Sequence, residues 1–473
     1  MSRRAALVVA FALVGVLVLV VGVLVLPGRD LPAPSSSPPP SPSPSPRETP
    51  PPVVLAAATP EPVDAAAPLV GDVLAPLAAD PRLGERVGVA VVDLSAGTPA
   101  YGLADGRGQT PASTLKVLTA VAALQAVGPQ TRFSTRAVLT RGGATVVLVG
   151  GGDPLLTVDP EASGVPEPTR LADLAAATAE ALQAMEVGPV RVAVDDRFFR
   201  GPAVDPDWEP RYVGAGVVSP VSALAVDGGR TSPGAVGRSP DPAIAAGQAF
   251  ARLLAADGVV VEGAVERLPV GRGSSQLAVV RSVPLESVVE YVLATSDNDA
   301  AEVLGRHTAF VTGRPASEAG ASEAVTAVLA GLGLDVQGVD VHDASGLARG
   351  SRVHPRLLAQ ALALASSPEH PRLRAAVTGL PVAGFTGTLD RRFEEGAGVA
   401  GAGEVRAKTG TLTGVGSLAG LVTAESGTTY AFAVVADAVP AGGTVGAREA
   451  LDAVAAALAT CGCAAASLAS AGG

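Results

Sequence analysis

The chain has 473 residues, a net charge of −11 and a pI near 5.0, a balance that argues against a nucleic-acid binder built on a basic patch. Apolar residues make up 48% and aromatics only 3%, so a core has to be assembled from Ala, Val and Leu, and the length predicts two or three domains. Two cysteines exclude a disulfide-stapled scaffold and a cysteine-rich zinc module. The scattered His307, His342, His354 and His370 make no metal-ligand spacing.

Taken in chain order, Arg3 and Arg4 precede an unbroken apolar run over residues 5–26, long enough to span a bilayer as a helix. The positive-inside rule then puts the N-terminus in the cytoplasm and the remainder outside. A cleaved signal peptide is the alternative. Its apolar region is shorter and ends on small residues, whereas this run closes on Leu26-Pro27, which favours an uncleaved anchor. Residues 27–63 are Pro/Ser-rich, including SSSPPPSPSPSP, and predict an extended stalk that buries no core.

The folded body begins near Asp64, with a helix over 64–80 and a strand over 86–94 whose partner follows the turn at Ala96-Gly97. Residues 113–126 are helical and apolar on nearly every side beyond the first turn, which predicts a buried helix. Between 134 and 282 the short runs TVVLVG, VRVAVDD, VVVEGAV and LAVVRS alternate with helical stretches at 169–186 and 242–256. This texture predicts an inserted α+β module over 135–282, dividing a main domain into 64–134 and 283–460. Helices are expected at 285–294, 299–309, 321–332 and 355–366, and EVRAKTG reads as a strand. The runs 415–424 and 428–437 form a hairpin through Glu425-Ser426-Gly427, and a helix over 446–459 lays its Ala stripe on it. In the tail, 461–473, the single residue between Cys461 and Cys463 would strain a disulfide, so free or marginally oxidised thiols are expected.

Among the 34 basic residues only Lys116 and Lys408 are lysines, and Asn298 is the single asparagine. Lys and Asn have AT-rich codons, so a GC-rich genome keeps them where Arg or another polar residue cannot serve. Arginine stays charged, whereas a buried lysine can give up its proton, so proton transfer is one such role. Lys116 stands three residues after Ser113 on one helix face, within an apolar stretch that would lower its pKa and let it activate the hydroxyl. An ordinary capping serine with a surface lysine is the bland alternative. Asn298 closes Ser296-Asp297-Asn298, where a hydroxyl and an amide can face one cleft, though the same residues would also make a plain helix cap. Lys408 heads Lys408-Thr409-Gly410-Thr411. Gly410 leaves room for a substrate backbone and the lysine and threonines could hold a carboxylate, against the alternative of a solvated edge-strand lysine.

The ordered set S-x-x-K, S-D-N and K-T-G resembles the active-site triplet of penicillin-binding proteins and serine β-lactamases. The 183 residues from Ser113 to Ser296 exceed a compact β-lactamase and fit an insertion. The stretches LVGGGDPLL (148–156), DDRFFRGP (195–202), SPVSALAVDGG (219–229), DASGLARGSRVHP (343–355) and LPVAGFTGTLDRRF (380–393) resemble the D-alanyl-D-alanine carboxypeptidase/endopeptidase family, the low-molecular-mass class C penicillin-binding proteins, over about residues 64–460.

The resemblance implies an α+β, penicilloyl-serine-transferase (serine β-lactamase/DD-peptidase) fold: an antiparallel sheet flanked by helices, a helical lobe and an inserted α+β module, smaller here than in members with two inserted domains. It implies that Ser113 attacks the D-Ala-D-Ala carbonyl of peptidoglycan stem peptides, that Lys116 takes its proton, and that Ser296 passes a proton to the leaving amine. Asn298 would bind the substrate amide. Lys408, with Thr409 and Thr411, would hold the terminal carboxylate beside Gly410, which leaves room for the substrate backbone, and the N–H groups of Ser113 and Thr411 would form an oxyanion hole. β-Lactams would acylate the same serine, and no metal or organic cofactor is implied. The anchor and stalk depart from secreted family members, and place the catalytic domain outside a cell membrane, or in the cell wall if the anchor is cleaved. Three rivals are weaker. A class A β-lactamase would need a Glu followed by Asn three positions on, and the only Asn is already used. A non-catalytic wall-binding or scaffolding module would not need the motifs intact. A Ser-His-Asp hydrolase lacks its G-x-S-x-G elbow.

Overall fold

A computed structural model describes residues 69–161, 167–232 and 234–463. The apolar run 5–26 and the Pro/Ser-rich stretch 27–63 lie outside the described residues. The strands are β1 (Val87–Asp93), β2 (Thr98–Leu103), β3 (Ser134–Leu139), β4 (Thr145–Val149), β5 (Arg191–Asp195), β6 (Glu266–Arg267), β7 (Ser275–Arg281), β8 (Val405–Leu412), β9 (Val415–Thr423) and β10 (Thr429–Ala436). The principal helices are α1 (Val70–Ala78), α2 (Leu115–Ala126), α3 (Leu171–Ala184), α4 (Pro242–Ala256), α5 (Leu285–Thr295), α6 (Asn298–Val311), α7 (Glu318–Gly331), α8 (Pro355–Ser366) and α9 (Thr444–Ala459).

Successive side chains of a strand point to opposite faces. In β1, Val89 and Val91 enter one apolar cluster while Ala90 and Val92 enter another, so the sheet is covered on both sides. That sheet is antiparallel with order β2-β1-β10-β9-β8. On its Val89 face lie α1 and α9, through Leu74, Leu451, Val454 and Leu458 against Leu418, Phe432 and Val434. On the opposite face the small Ala90, Ala431 and Ala433 let α8 approach closely, and α2 packs behind it, with Leu118, Leu358 and Leu362 in the same core. A lobe of α5, α6 and α7 packs on α2, whose residues from Leu115 to Leu124 are all buried. This is the three-layer α+β arrangement in which the site is held between the sheet and the helical lobe.

Residues 134–281 contribute the second sheet, of order β6-β5-β4-β3-β7. It is mixed: β3 pairs antiparallel with β4 and β7, while β4–β5 and β5–β6 are parallel. Parallel neighbours need a crossover, and α3 and α4 supply the two. Both helices cover one face, where Leu171, Leu174, Leu182 and Phe250 meet Leu148, Val192 and Val194.

Three details differ from expectation. The strand expected at VVVEGAV is reduced to a single bridge from Val261 to Val190 before the two-residue β6, because Gly263 at φ 77° interrupts the extended backbone. The helix expected from 113 begins as a 3-10 turn over Ala112–Thr114 that leads into α2, and of the helix expected over 64–80 the described part is α1. Cys461 and Cys463, expected as free or marginally oxidised thiols, are paired. Their Cα atoms are 4.9 Å apart, within the span a disulfide bridges, and both side chains are buried against the α9 face.

Candidate active site

Ser113 sits on the 3-10 turn at the head of α2, half-buried, where the backbone is bent sharply: Ala112 just before it takes φ 48°, a region a residue with a Cβ seldom occupies. Two hydroxyls fasten the turn, since Thr114 Oγ1 and Ser417 Oγ of β9 both donate to the Pro111 carbonyl at 2.7 Å. One helical turn on, Lys116 is fully buried. Its Nζ donates to Ser113 Oγ at 2.9 Å, to Asn298 Oδ1 at 2.7 Å and to the Ser345 carbonyl at 2.6 Å. Burial pushes the Lys116 ammonium down to about 8, and the carboxylates of Asp343, Asp297, Glu302 and Asp299 keep it from falling further.

The S-D-N segment is the junction of α5 and α6. Ser296 ends α5 in the left-handed region at φ 61°, Asp297 caps α6 by accepting from the Ala300 N–H, and Asn298 is the first residue of α6. The capping turn and the cleft-facing pair are therefore one structure, because the cap belongs to Asp297 and leaves its two neighbours for the site. Asn298 Oδ1 is committed to Lys116 and its Nδ2 donates to the Val217 carbonyl at 2.9 Å. That leaves the second N–H of the amide as the group that can meet a substrate carbonyl.

Lys408 lies on β8, at one end of the sheet, yet is fully buried rather than solvated. Its Nζ donates to Ser296 Oγ at 2.8 Å and to the Thr409 carbonyl at 2.9 Å. Burial first, then the positive charges of Lys116 and Arg392, push this ammonium well below the ordinary lysine value. Gly410 runs so close to the Ser113 turn that a Cβ there would stand 2.1 Å from Ser417 Oγ and 3.1 Å from the Ser113 nitrogen. Thr409 Oγ1 donates to Thr388 Oγ1 at 3.0 Å, and Thr411 is exposed two residues along the same strand face. The three motifs are thus joined pairwise: the first to the second through Lys116, the second to the third through Lys408, the third to the first at Gly410.

Residues outside the motifs complete the site. Asp343, fully buried, accepts from the N–H groups of Gly346, Leu347 and Ala348 at 2.8–2.9 Å and from Ser345 Oγ at 3.0 Å. It thereby shapes the loop that presents the Ser345 carbonyl to Lys116. Glu302 Oε1 accepts from the Ala344 N–H at 3.0 Å, and its other oxygen pairs with buried Arg306 at 3.1 Å. Burial, then the neighbouring Asp343, raise the Glu302 carboxyl to about 7. In the sequence these residues were visible only as the stretch DASGLARGSRVHP and as anonymous helix positions, since nothing in a one-dimensional pattern aims a backbone carbonyl.

Arranged in this way, a hydroxyl, a partly deprotonated amine, a second hydroxyl on a second amine, and a strand edge can carry out acyl transfer through a serine. Comparison with known proteins agrees. The profile of the D-Ala-D-Ala carboxypeptidase 3 (S13) family matches residues 71–238 and 232–459. A carboxypeptidase of Mycobacterium tuberculosis is 37% identical over 448 residues, covering 92% of this chain and 91% of the relative. Carboxypeptidase DacB of Mycolicibacterium smegmatis is 37% identical over 415 residues, 85% of this chain and 87% of its own. Among solved structures, penicillin binding protein 4 of Haemophilus influenzae superposes with a TM-score of 0.66 at 21% identity, covering 81% of this chain and 97% of that one, a likeness of fold. Matched by that profile from the first described helix to the last, and aligned with its carboxypeptidase relatives over most of their length, this chain belongs to the D-Ala-D-Ala carboxypeptidase 3 (S13) family.

Proposed function

We propose that the protein is a serine-type D-Ala-D-Ala carboxypeptidase/endopeptidase that cleaves peptidoglycan stem peptides through an acyl-serine intermediate and is acylated by β-lactams. The observation that carries the reading is the seat of Lys116 Nζ. A neutral amine has two N–H groups and one lone pair. Asn298 Oδ1 at 2.7 Å and the Ser345 carbonyl at 2.6 Å take the two N–H groups, so the lone pair faces Ser113 Oγ at 2.9 Å.

On this reading Ser113 Oγ attacks the penultimate D-Ala carbonyl as Lys116 takes its proton. The C–N bond then breaks, and Ser296 passes a proton to the leaving amine, replenished from the buried lysines on either side. The N–H groups of Ser113 and Thr411 face the developing oxyanion, an interaction of about 3–4 kcal/mol in comparable sites. Asn298 donates to the substrate backbone. Lys408, with the Thr409 and Thr411 hydroxyls and the space over Gly410, receives the terminal carboxylate, whose negative charge restores the proton affinity that burial takes from Lys408. Water finally hydrolyses the ester and returns the Ser113 proton.

We read 64–134 with 283–460 as the catalytic body and 135–282 as an inserted module, a division supported by the second sheet. Residues 5–26 are read as a membrane anchor and 27–63 as a stalk that holds the body outside the cytoplasm. Among the described residues no helix is long and apolar enough to cross a membrane, so attachment rests on the N-terminal run. The test of the activity is labelling of the full-length chain with a fluorescent penicillin beside Ser113→Ala. Stable label on the wild type and none on the variant is expected. A folded wild type that takes no label would favour a non-catalytic wall-binding module, and turnover of many equivalents of a chromogenic cephalosporin would favour a β-lactamase.

A further inference from the structure

The two groups whose oxygens accept from Lys116 are both tied to one segment of the chain, 205–219: Asn298 directly, and the Ser345 loop through Asp343. At Ser345 the holder is Asp343, and the fifth donor to that carboxylate is Trp208 Nε1, at 3.0 Å. The Trp208 ring is 5% exposed and shares a small apolar cluster with Tyr212, Val218, Leu347 and Ala348, so the segment and the loop after Asp343 pack as one piece. A second fastening lies beside it, where His342 Nδ1 meets Asp207 Oδ2 at 2.6 Å. At Asn298 the holder is the Val217 carbonyl, which accepts from Nδ2 and so fixes which way the amide points; the Ser219 N–H, donating to Asp299 Oδ1 at 2.6 Å, ties the segment to the next residue of α6.

We infer that segment 205–219 is part of the acylation machinery: Trp208 through Asp343, and the Val217 carbonyl through Asn298, set the two acceptors that aim the Lys116 lone pair at Ser113. Trp208 and Asp343 are positioning residues. This inference rests on the proposed acyl-serine chemistry and gives the inserted chain a part in aiming Lys116. The reason is geometric. A lysine side chain has four rotatable bonds, and only fixed acceptors on two sides leave the third direction for the lone pair.

The test measures the rate of penicillin acylation against pH for the full-length wild type, Asp343→Asn and Trp208→Phe, with Tm as a check on folding. The charged groups facing Lys116 are the carboxylates of Asp343, Asp297, Glu302 and Asp299 and the ammonium of Lys408. Asp343→Asn keeps the shape but turns an NH2 toward donors. A loss of about 10- to 100-fold is expected, the span for a buried acceptor removed from its donors. Its acid limb moves to lower pH, because a carboxylate and a carbonyl that favoured the ammonium are withdrawn. Trp208→Phe keeps the apolar packing and loses only the N–H, so a loss of about 3- to 10-fold is expected, with a small shift of the acid limb to higher pH, because Asp343 keeps its charge and loses a donor that partly neutralised it.

Folded variants that acylate at the wild-type rate with an unmoved acid limb overturn the inference. So does a lowered rate with an unmoved limb, which is what a merely structural role would give. If Asp343→Asn does not fold, Trp208→Phe decides alone. A wild type that takes no label is a different failure, that of the acyl-serine reading itself.

Discussion

At the scale of single residues, the proposed chemistry depends on an amine that can lose a proton while buried. Lys116 meets that need because burial brings its ammonium to about 8, where a guanidinium would remain charged. Two consequences follow from the sign of the shift. The neutral fraction of Lys116 grows as pH rises through about 8, so the acylation rate is expected to climb across that value, and stopped-flow acylation from pH 6 to 10 checks it. Lys116→Arg keeps the positive charge but cannot take the proton. It is expected to lower acylation by about 10²–10⁴-fold, the usual worth of a general base, measured in the same assay. The scarcity of lysine made Lys116 and Lys408 conspicuous in the sequence, and their identity as buried amines follows from the apolar helix around one and the sheet around the other.

At the scale of elements, the geometry of the proposed site is a matter of how closely β8 passes the Ser113 turn. No positive φ is involved at Gly410; the constraint is steric. A Cβ there would stand 2.1 Å from Ser417 Oγ and 2.8 Å from the Pro111 carbonyl, the two atoms whose hydrogen bond fastens the turn. Gly410→Ala is therefore expected to cost on the order of 1–3 kcal/mol in stability, as overpacking does. It should also depress acylation beyond what the lost folded fraction explains. Denaturant titration beside the labelling rate separates the two, and an unchanged labelling rate would mean that β8 can move away without disturbing Ser113. The strand at EVRAKTG and the tight hairpin of β9 and β10 were legible from alternation. The approach of β8 to a turn nearly 300 residues earlier was not, because register between strands is decided by long-range packing.

At the scale of the whole molecule, the chain reads as a catalytic body interrupted by a second sheet and preceded by an apolar run and a Pro/Ser-rich stretch. The proposed anchor makes a direct prediction. The full chain is expected in the membrane fraction, and a mature N-terminus mapped at or before residue 5 would accord with an uncleaved span. A mature N-terminus beyond residue 26 would show cleavage and a protein released to the wall. The segment 205–219 lies within 135–282 and is bonded to the body at Asp343 and Asn298, so removing 135–282 would also remove Trp208 and Val217 from the surroundings of Lys116. Loss of activity on that deletion would therefore not by itself identify support of the lysine as the cause, whereas the Trp208 substitution tests that support alone.

What the sequence by itself determined is the local placement of the three motifs. Ser113 and Lys116 come together because of the helical period, Ser296 and Asn298 flank Asp297 at a turn, and Lys408 and Gly410 share one face of a strand. Each motif is local, and local periodicity is written in the order of residues. The boundaries of α4 and α8 were legible for the same reason, with Asp241 and His354 as caps before Pro242 and Pro355. What only the tertiary structure decided is where the lysine protons point. The Ser345 carbonyl, the Asp343 carboxylate behind it and the Trp208 N–H behind that come from parts of the chain far apart in sequence, and two of these contacts involve backbone groups that every residue carries. Backbone groups carry no sequence signature. Only the packing of the helical lobe, the loop after Asp343 and the inserted segment around Lys116 gives them a direction.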